Sequence, residues 1–340
     1  MDKKEVFNNF ITKKDVLIVD KVPSARTRLI KILRDLGSAP NSIHATGSLE
    51  EAISMASKFN IGIVFSEFTI HGGSGFDLFR SMRDSRPDDK ELTLVLLTSN
   101  ITQSAVAKAA EEDVDAFVVK PYTITSIGET LIETVTSKIN PSKYVVLIED
   151  GKDLIKKGLY DEAITQLTLA TKCHPKPSLA YYYIGQAEYL KNMFLEAKTA
   201  YRDGLECLTI HYKCLVGLYE IMQQQGKYHK AYELMKKISS YFPANPDRFA
   251  SVVRLAVMTK NFADMDFYYK LFTDMEERPP EIVKYIGAAL VVAGKHYMER
   301  GEKARAVDLF QKVAVSCSER TKYLKECIAT LVNHDMIEDA

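Results

Sequence analysis

The sequence predicts two kinds of structure in one chain: a doubly wound α/β domain with a five-stranded parallel sheet, followed by an all-α superhelix of repeats. Two observations support this prediction. Over about the first 140 residues, short apolar runs alternate five times with helical segments. Beyond them, a set of side chains recurs every 34 residues. The expected divisions are an N-terminal extension over 1–14, the α/β domain over 15–140 and the helical domain over 141–340.

Composition argues against several classes of function. Lys and Arg together number 45, as do Asp and Glu, so the chain lacks the basic excess that is usual in nucleic-acid-binding domains. No apolar run approaches the roughly 18 residues of a membrane-spanning helix, and the N-terminus shows no secretory signal. The five cysteines form no CxxC pair and are expected to be reduced thiols. We therefore expect a cytoplasmic protein with neither nucleic acid nor a membrane as its partner.

Each predicted strand of the α/β domain is a short apolar run followed by a helical segment. Pro23 begins the first of these helices and Gly37 closes it. The predicted strands cover about residues 15–20, 42–45, 61–66, 92–98 and 116–119. The later helices cover about residues 49–58, 75–83, 103–111 and 123–138. This alternation is typical of a doubly wound parallel sheet.

Polar side chains follow or end four of these strands. Asp20 ends the first and Glu67 follows the third, while Thr98 and Lys120 come at the ends of the fourth and fifth. Ligands of open parallel sheets bind outside the carboxyl ends of the strands, so we expect these side chains to lie together. Carboxylates can hold a divalent cation, whereas a hydroxyl and an ammonium can bind phosphoryl oxygens. The set therefore suits a site that handles a phosphoryl group.

Three short motifs lie at strand ends: VLIVD at 16–20, LLTS at 96–99 and FVVKP at 117–121. With the order and length of the five βα units, they make residues 15–138 resemble the response-regulator receiver domain of two-component signalling. The resemblance implies a role for six positions. These are a metal-binding pair at Asp20 and Lys21, the phosphoacceptor position at Glu67, phosphoryl-reading residues at Thr98 and Lys120, and a switch aromatic at Phe117.

Two of these positions depart from the receiver pattern. Glu67 occupies the place of the phosphoacceptor aspartate, and Lys21 replaces the second acid. Magnesium requires several oxygen ligands in strict geometry, and Lys21 puts an ammonium where the metal would lie. We therefore expect no cofactor, with Mg²⁺ binding weak or absent, and a pseudo-receiver in which Glu67 is bridged to Lys120, Lys21 or both. Whether Glu67 holds an active-like state or the domain only packs and dimerises stays open.

The helical region repeats strictly. Aromatic residues recur at Tyr160, Phe194, Tyr228 and Phe262, each 34 positions after the last. A fifth unit follows an insertion around 276–280, and a helix over about 319–333 is expected to cap the array. The period and signature residues resemble the tetratricopeptide repeat over about residues 144–316. One helix pair cannot bury its apolar face alone, so neighbouring pairs are expected to stack, with the aromatic filling the gap between units.

Function in such an array is expected on the concave surface, which the first helix of each unit lines. A mixed polar and aromatic groove suits a peptide or helix from a protein partner. The repeat positions predict that this groove is lined by Tyr182, Gln186, Tyr189, Glu220, Gln223, Arg254 and Lys295.

The leading interpretation is a non-catalytic signalling adaptor, in which a phosphorylation-deficient receiver is coupled to a protein-binding scaffold. Its expected partners are a histidine kinase or another receiver domain, a second protein in the groove, and a second copy bound through the receiver. The alternative is a phosphorylation-switched response regulator whose repeats bind a partner on activation. No metal-ligand spacing and no nucleophile–base signature supports an enzyme.

Overall fold

A computed structural model describes residues 2–87, 89–98, 114–241, 246–275 and 278–339. The chain divides into two compact units, Met1–Lys191 and Asn192–Ala340. The expected boundary after residue 140 falls inside the first unit, and the domain limits stay a prediction. The helix predicted over 103–111 lies outside the described residues.

Five parallel strands form the centre of the first unit in the order β2-β1-β3-β6-β7. A separate antiparallel ribbon, β4 and β5, follows β3. The strand order reverses direction at β1, which confirms the predicted doubly wound sheet. The strands are β1 (Asp15–Val19), β2 (Ile43–Thr46), β3 (Ile61–Glu67), β4 (Thr69–Ile70), β5 (Gly73–Ser74), β6 (Thr93–Thr98) and β7 (Ala116–Val119).

Helices cover both faces of this sheet. Successive strand side chains point to opposite faces, so Val16 and Ile18 pack with α2 and α5, whereas Leu17 and Val19 pack with α3 and α4. The apolar runs of the strands are therefore buried on both sides, as a parallel sheet requires. The helices of this part are α1 (Lys3–Ile11), α2 (Pro23–Asp35), α3 (Leu49–Lys58), α4 (Gly75–Ser85) and α5 (Ile124–Ile139).

The segment before β1, expected only as an extension, is helix α1. The side chain of Asp2 caps it by accepting a hydrogen bond from the backbone N–H of Lys4. Phe7, Phe10 and Ile11 are buried in the same core cluster as the α2 and α5 side chains. The extension is therefore part of the hydrophobic core of the α/β domain.

Helix pairs follow at a constant spacing. First helices begin at residues 178, 212, 246 and 280, each 34 after the last. This spacing confirms the predicted helical-repeat array of tetratricopeptide type. Helices α6–α8 belong to the first unit and α9–α16 to the second. They are α6 (Lys143–Lys156), α7 (Tyr160–Thr171), α8 (Ser178–Leu190), α9 (Phe194–Cys207), α10 (Tyr212–Gln224), α11 (Tyr228–Tyr241), α12 (Pro246–Met258), α13 (Met265–Thr273), α14 (Pro280–Glu299), α15 (Lys303–Ser316) and α16 (Thr321–Val332).

Small residues bring the helices of a repeat together. A Cβ on Gly294 of α14 would lie 2.3 Å from Cε1 of Phe310 on α15, so only glycine fits against this buried ring. The recurring aromatic is less uniform than expected. Phe262 is buried, whereas Tyr228 is 43% exposed, since a phenol can keep its hydroxyl in water. In the described part of the chain, no helix is long and apolar enough to cross a membrane.

Candidate functional site

The carboxyl ends of β1, β3, β6 and β7 bring the candidate site to one edge of the sheet. Glu67 ends β3, beside Leu97 of β6. The backbone N–H of Lys120, just after β7, donates to the carbonyl oxygen of Thr98 at 2.7 Å. Asp20 follows β1, and its backbone N–H donates to the carbonyl oxygen of Thr46 at 3.0 Å. The parallel strands thus place side chains that are distant in sequence at one place.

Lys120 joins the two carboxylates of this site. Its Nζ lies 2.6 Å from Oδ2 of Asp20 and 3.1 Å from Oε1 of Glu67. The side chain of Asp20 is 1% exposed, that of Glu67 12% and that of Lys120 18%. Water therefore screens these ion pairs little, and charge-assisted hydrogen bonds of this length are strong.

The protonation state of Lys120 follows from this geometry. Burial lowers the pKa of its amine, but the hydrogen bonds and charges of Asp20 and Glu67 outweigh burial, so the pKa lies above its ordinary value of 10.5. Burial also raises the pKa of the neighbouring Tyr122 phenol. The site therefore contains a permanent cation and a neutral phenol at physiological pH.

The remaining carboxylate oxygens differ in their contacts. Oδ1 of Asp20 accepts a hydrogen bond from the backbone N–H of Val22 at 2.8 Å. Oε2 of Glu67 is buried and has no hydrogen-bond partner among the residues that the structure describes. In this bridge one ammonium therefore serves two carboxylates.

The other two positions implied by the receiver resemblance are more exposed than this bridge. Lys21 is exposed, and the ion pair of Glu67 is made with Lys120. Phe117 on β7 is 45% exposed, whereas Thr98 is only 5% exposed. The structure therefore brings Asp20, Glu67, Thr98 and Lys120 to one edge and leaves the side chains of Lys21 and Phe117 in solvent.

The glycine-rich turn after β3 supports the backbone at Glu67. A Cβ on Gly75 would lie 2.5 Å from the carbonyl oxygen of Glu67, so glycine is required for this close approach. Ser74 caps α4 in a capping box with Asp77. The turn therefore positions the end of β3 and starts the next helix.

Two arginines of α2 belong to the site and were not predicted. Nη1 of Arg26 donates to the carbonyl oxygen of Asp20 at 2.6 Å, and Nη2 of Arg28 donates to that of Tyr122 at 2.8 Å. Since α2 begins at Pro23, directly after β1, its first two turns lie over the strand ends. Arg26 and Arg28 lie six and eight positions after Asp20, and this short separation could have indicated that they belong to the site.

The donor set departs from what magnesium requires. Mg²⁺ takes near-octahedral oxygen ligands. Asp20 and Glu67, however, each have one oxygen paired with Lys120, and Lys21 stands where receivers have the second acid of the metal-binding pair. Within the described ranges, no three His, Cys, Asp or Glu side chains are grouped so that they could hold a metal ion.

The residues predicted for the groove all lie on first helices of their repeats. Glu220 and Arg254 are exposed and the other five are partly buried. Nζ of Lys295 lies 2.7 Å from Oε2 of Glu326 on α16, so this cation already has a partner within the chain. By helix, Tyr182, Gln186 and Tyr189 lie on α8, Glu220 and Gln223 on α10, Arg254 on α12 and Lys295 on α14.

Known proteins match the α/β part of the first unit. The response regulator receiver domain family matches residues 16–132. The chemotaxis protein CheY of Pseudomonas aeruginosa is 29% identical over 126 residues, which cover 37% of this chain and 98% of that protein. CheY-3 of Vibrio cholerae is 29% identical over 116 residues, covering 34% of this chain and 87% of that protein. Residues 16–132 are therefore a response-regulator receiver domain.

One solved structure that is similar to part of this chain is a repeat protein. YrrB, described as a TPR protein with an unusual peptide-binding site, is 14% identical, covers 56% of this chain and 95% of that chain, and gives a TM-score of 0.35. The repeat assignment itself rests on the 34-residue helix spacing described above. A receiver domain followed by such an array makes this chain a signalling protein with a protein-interaction domain. Domains of these two kinds are generally non-catalytic.

Proposed function

We propose that this chain is a non-catalytic signalling adaptor, in which a receiver that does not accept phosphate is coupled to a protein-binding repeat scaffold. The bridge made by Lys120 carries the proposal. Glu67 stands at the phosphoacceptor position. Nζ of Lys120, at the position that reads the phosphoryl group in receivers, lies 3.1 Å from Oε1 of Glu67. The carboxylate thus meets the cation that would otherwise meet phosphoryl oxygens.

Weak or absent Mg²⁺ binding is part of the proposal. Nζ of Lys120 lies 2.6 Å from Oδ2 of Asp20. A metal ion bound by Asp20 would have to displace this ammonium. Lys21, at the position of the second acid, also supplies no carboxylate ligand. Without a divalent cation, the charge on an incoming phosphoryl group would meet the carboxylates of Asp20 and Glu67. Electrostatic stabilisation of that group, which dominates phosphoryl transfer, would be lost.

Glu67 is then a fixed charge that sets the shape of the pocket. A carboxylate carries one charge and two oxygens, whereas a phosphoryl group carries about two charges and three free oxygens. Glu67 can satisfy Lys120, but it offers fewer acceptors than a phosphorylated aspartate would. The receiver is therefore a docking domain of constant shape, with Thr98, Lys120 and Phe117 as the positions at which that shape would be read.

Incubation of the full chain with radiolabelled acetyl phosphate and Mg²⁺ tests this proposal. We expect no label on the wild-type protein. The matched variant Lys21→Asp/Glu67→Asp restores both acids of the receiver pattern, and it should take up label at position 67. Labelled wild-type protein, with the label lost in Glu67→Ala, would overturn the proposal.

A specific observation favours the second candidate, a phosphorylation-switched response regulator whose repeats bind a partner on activation. Thr98 and Lys120 are retained at the strand ends, and Oε2 of Glu67 is buried without a partner among the described residues. That oxygen is the atom through which phosphate would be accepted. Titration with beryllofluoride and Mg²⁺, followed by amide NMR shifts around Thr98, separates the candidates, since only a phosphoswitch should respond.

Protein partners are proposed for both parts of the chain. The repeats would hold a peptide or helix, and the receiver would meet a histidine kinase, another receiver or a second copy. Capture of a partner from the native cell should weaken in Tyr189→Ala and Arg254→Ala. The matched controls are Tyr228→Ala and Arg202→Ala, which remove exposed side chains of the same types from second helices. Equal capture by all four variants would contradict the proposed groove.

A further inference from the structure

Helix α16 uses only one side to pack on the repeats. Cys327 and Leu331 are 5% and 3% exposed and face the unit interior. About 100° further round the helix, Ile328 and Val332 are 45% and 46% exposed, and Ile337, just after the helix, is 73% exposed. Ile328 and Val332 are four positions apart, so they are neighbours on the helix surface.

The exposed face of α16 combines apolar side chains of different sizes. Here Ala329, which is exposed, lies beside the Ile328–Val332 pair on the helical surface. A small side chain next to two branched ones would let another helix approach closely. The face therefore has the composition of a helix-packing surface that no other described helix covers.

The charges around this face oppose the dipole of their own helix. Lys322 and Lys325 lie in the first half of α16, while Asp335 and Glu338 follow its carboxyl end, and all four are exposed. A helix favours acids at its amino end and bases at its carboxyl end. The stability of α16 alone therefore does not account for this arrangement.

We propose that the outer face of α16 associates with the same face of a second copy of this chain, in an antiparallel, two-fold arrangement. An axis midway between Ile328 and Val332 sets Ile328 against Val332 of the second copy. The same axis directs the basic half of each helix towards the acidic end of the other. Each contact forms twice, because a two-fold interface is isologous. Antiparallel packing also opposes the two helix dipoles favourably.

Charge complementarity selects a second copy over other occupants. An acidic peptide would match Lys322 and Lys325 but would meet Asp335 and Glu338 at the other end. A basic peptide would have the reverse conflict. A surface with the same order of charges, turned around, satisfies both ends, and a second copy of this chain supplies that surface. Since one helix per copy makes the contact, the expected dimer is weak and reversible.

Sedimentation velocity of the full chain over a concentration series tests the apolar contact. We expect a monomer–dimer equilibrium in the wild-type protein. Ile328→Ser/Val332→Ser should raise the dimer dissociation constant about tenfold or more, because central apolar residues dominate small interfaces. Both side chains are half exposed, so the fold should persist, which circular dichroism checks. The matched control Val315→Ser removes a side chain on α15 that is 78% exposed, and it should leave the dissociation constant unchanged.

Charge exchange tests the orientation. Lys322→Glu/Lys325→Glu and Asp335→Lys/Glu338→Lys should each weaken self-association, because like charges would then meet across the axis. An equimolar mixture of the two variants should associate again, since each supplies what the other lacks. A wild-type chain that stays monomeric at its highest soluble concentration would overturn the proposal. So would a mixture that fails to associate, or a dimer that Phe117→Glu abolishes and the α16 variants leave intact.

Discussion

Each unit of this protein holds a lysine against a carboxylate, and the two clusters differ in how far the carboxylates are satisfied. In the receiver pocket, Lys120 lies between Asp20 and Glu67, and Oε2 of Glu67 lacks a partner in the described part of the chain. In the second unit, Nζ of Lys236 lies 2.8 Å from both carboxylate oxygens of Asp264. The hydroxyl of Tyr232 donates to the same carboxylate. The first cluster has one cation for two acids, and the second has a cation and a further donor for one acid.

The two clusters also differ in where their members lie along the chain. The partners of Lys120 are 100 and 53 positions away and come from different strand ends. The second cluster joins neighbouring repeats, 28 to 32 positions apart, and the hydroxyl of Tyr268 extends it by donating to that of Tyr232 at 3.1 Å. The first cluster keeps an acceptor without a partner among the described residues, whereas each carboxylate oxygen of the second has a donor. The contacts of the second cluster connect α11 with the start of α13, which is a structural role.

The largest difference between the two clusters should appear when Lys120 is removed. We expect Lys120→Met to lower the unfolding free energy of the receiver by about 3–5 kcal/mol, because two carboxylates would be left without a cation in a poorly hydrated site. Asp20 in particular is 1% exposed. Chemical denaturation of the full chain, with hydrogen exchange at β1 and β7, measures the loss.

A surface lysine of the same domain provides the control for that variant. Lys14 lies 3.3 Å from Glu91, whose side chain is 51% exposed. Lys14→Met should cost less than about 1 kcal/mol, as exposed pairs do. Equal losses in Lys14→Met and Lys120→Met would show that burial of the pocket carboxylates does not increase the contribution of their ion pairs to the unfolding free energy.

Alkaline pH should remove part of the same stabilisation. The pKa of Lys120 is higher in the folded state than its ordinary value of 10.5. Its contribution is therefore fully present below that value and is lost as the pH rises through the folded pKa. We expect the stability of the wild-type protein to fall above about pH 10.5. The fall should be smaller than the loss caused by the Lys120→Met substitution, because a neutral amine still donates hydrogen bonds. Denaturation at increasing pH measures this, and parallel curves for the wild-type and Lys120→Met proteins would contradict it.

Much of the fold could be predicted because it depends on local periodicity. Apolar runs of four to six residues located the strands, and the 34-residue period located the helix pairs, since stacked repeats must present matching faces. Helix α1 was missed as part of the core. Its apolar residues, Phe7, Phe10 and Ile11, make a pattern too short to show that they pack on α5, which follows more than a hundred positions later.

The site could be predicted in its members but not in its contacts. Topology alone brings Asp20, Glu67, Thr98 and Lys120 to one edge, because parallel strands end on the same side. Which lysine meets Glu67 depends on side-chain direction. Lys120 points into the pocket, whereas Lys21 points into water. A sequence does not contain that information, so both lysines were equally good candidates until the structure separated them.

In the second cluster, the largest effect should come from Tyr232. Its side chain is only 1% exposed, and Tyr232→Phe removes its hydrogen bond to the charged Asp264. We expect a loss of about 1.5–3 kcal/mol in the unfolding free energy of the second unit, the range for hydrogen bonds to charged groups. Tyr268→Phe is the control, since its hydroxyl meets only another hydroxyl, and it should cost about 0.5–1.5 kcal/mol. Hydrogen exchange at α11 and α13 measures both, and a larger loss in Tyr268→Phe would contradict the order.

The smallest effect should come from Lys236, the counterpart of Lys120. Its side chain is 40% exposed and that of Asp264 is 22% exposed, so water can replace the ammonium. Asp264 also keeps the hydroxyl of Tyr232 as a donor. Lys236→Met should therefore cost about 0–1 kcal/mol, as an exposed ion pair does. Denaturation of Lys236→Met beside Lys120→Met gives the ratio directly. If the two losses were equal, neither burial nor the number of carboxylates per cation would separate the pocket from the repeat contact, and the proposal that the bridge between Glu67 and Lys120 sets the shape of the pocket would lose its physical basis.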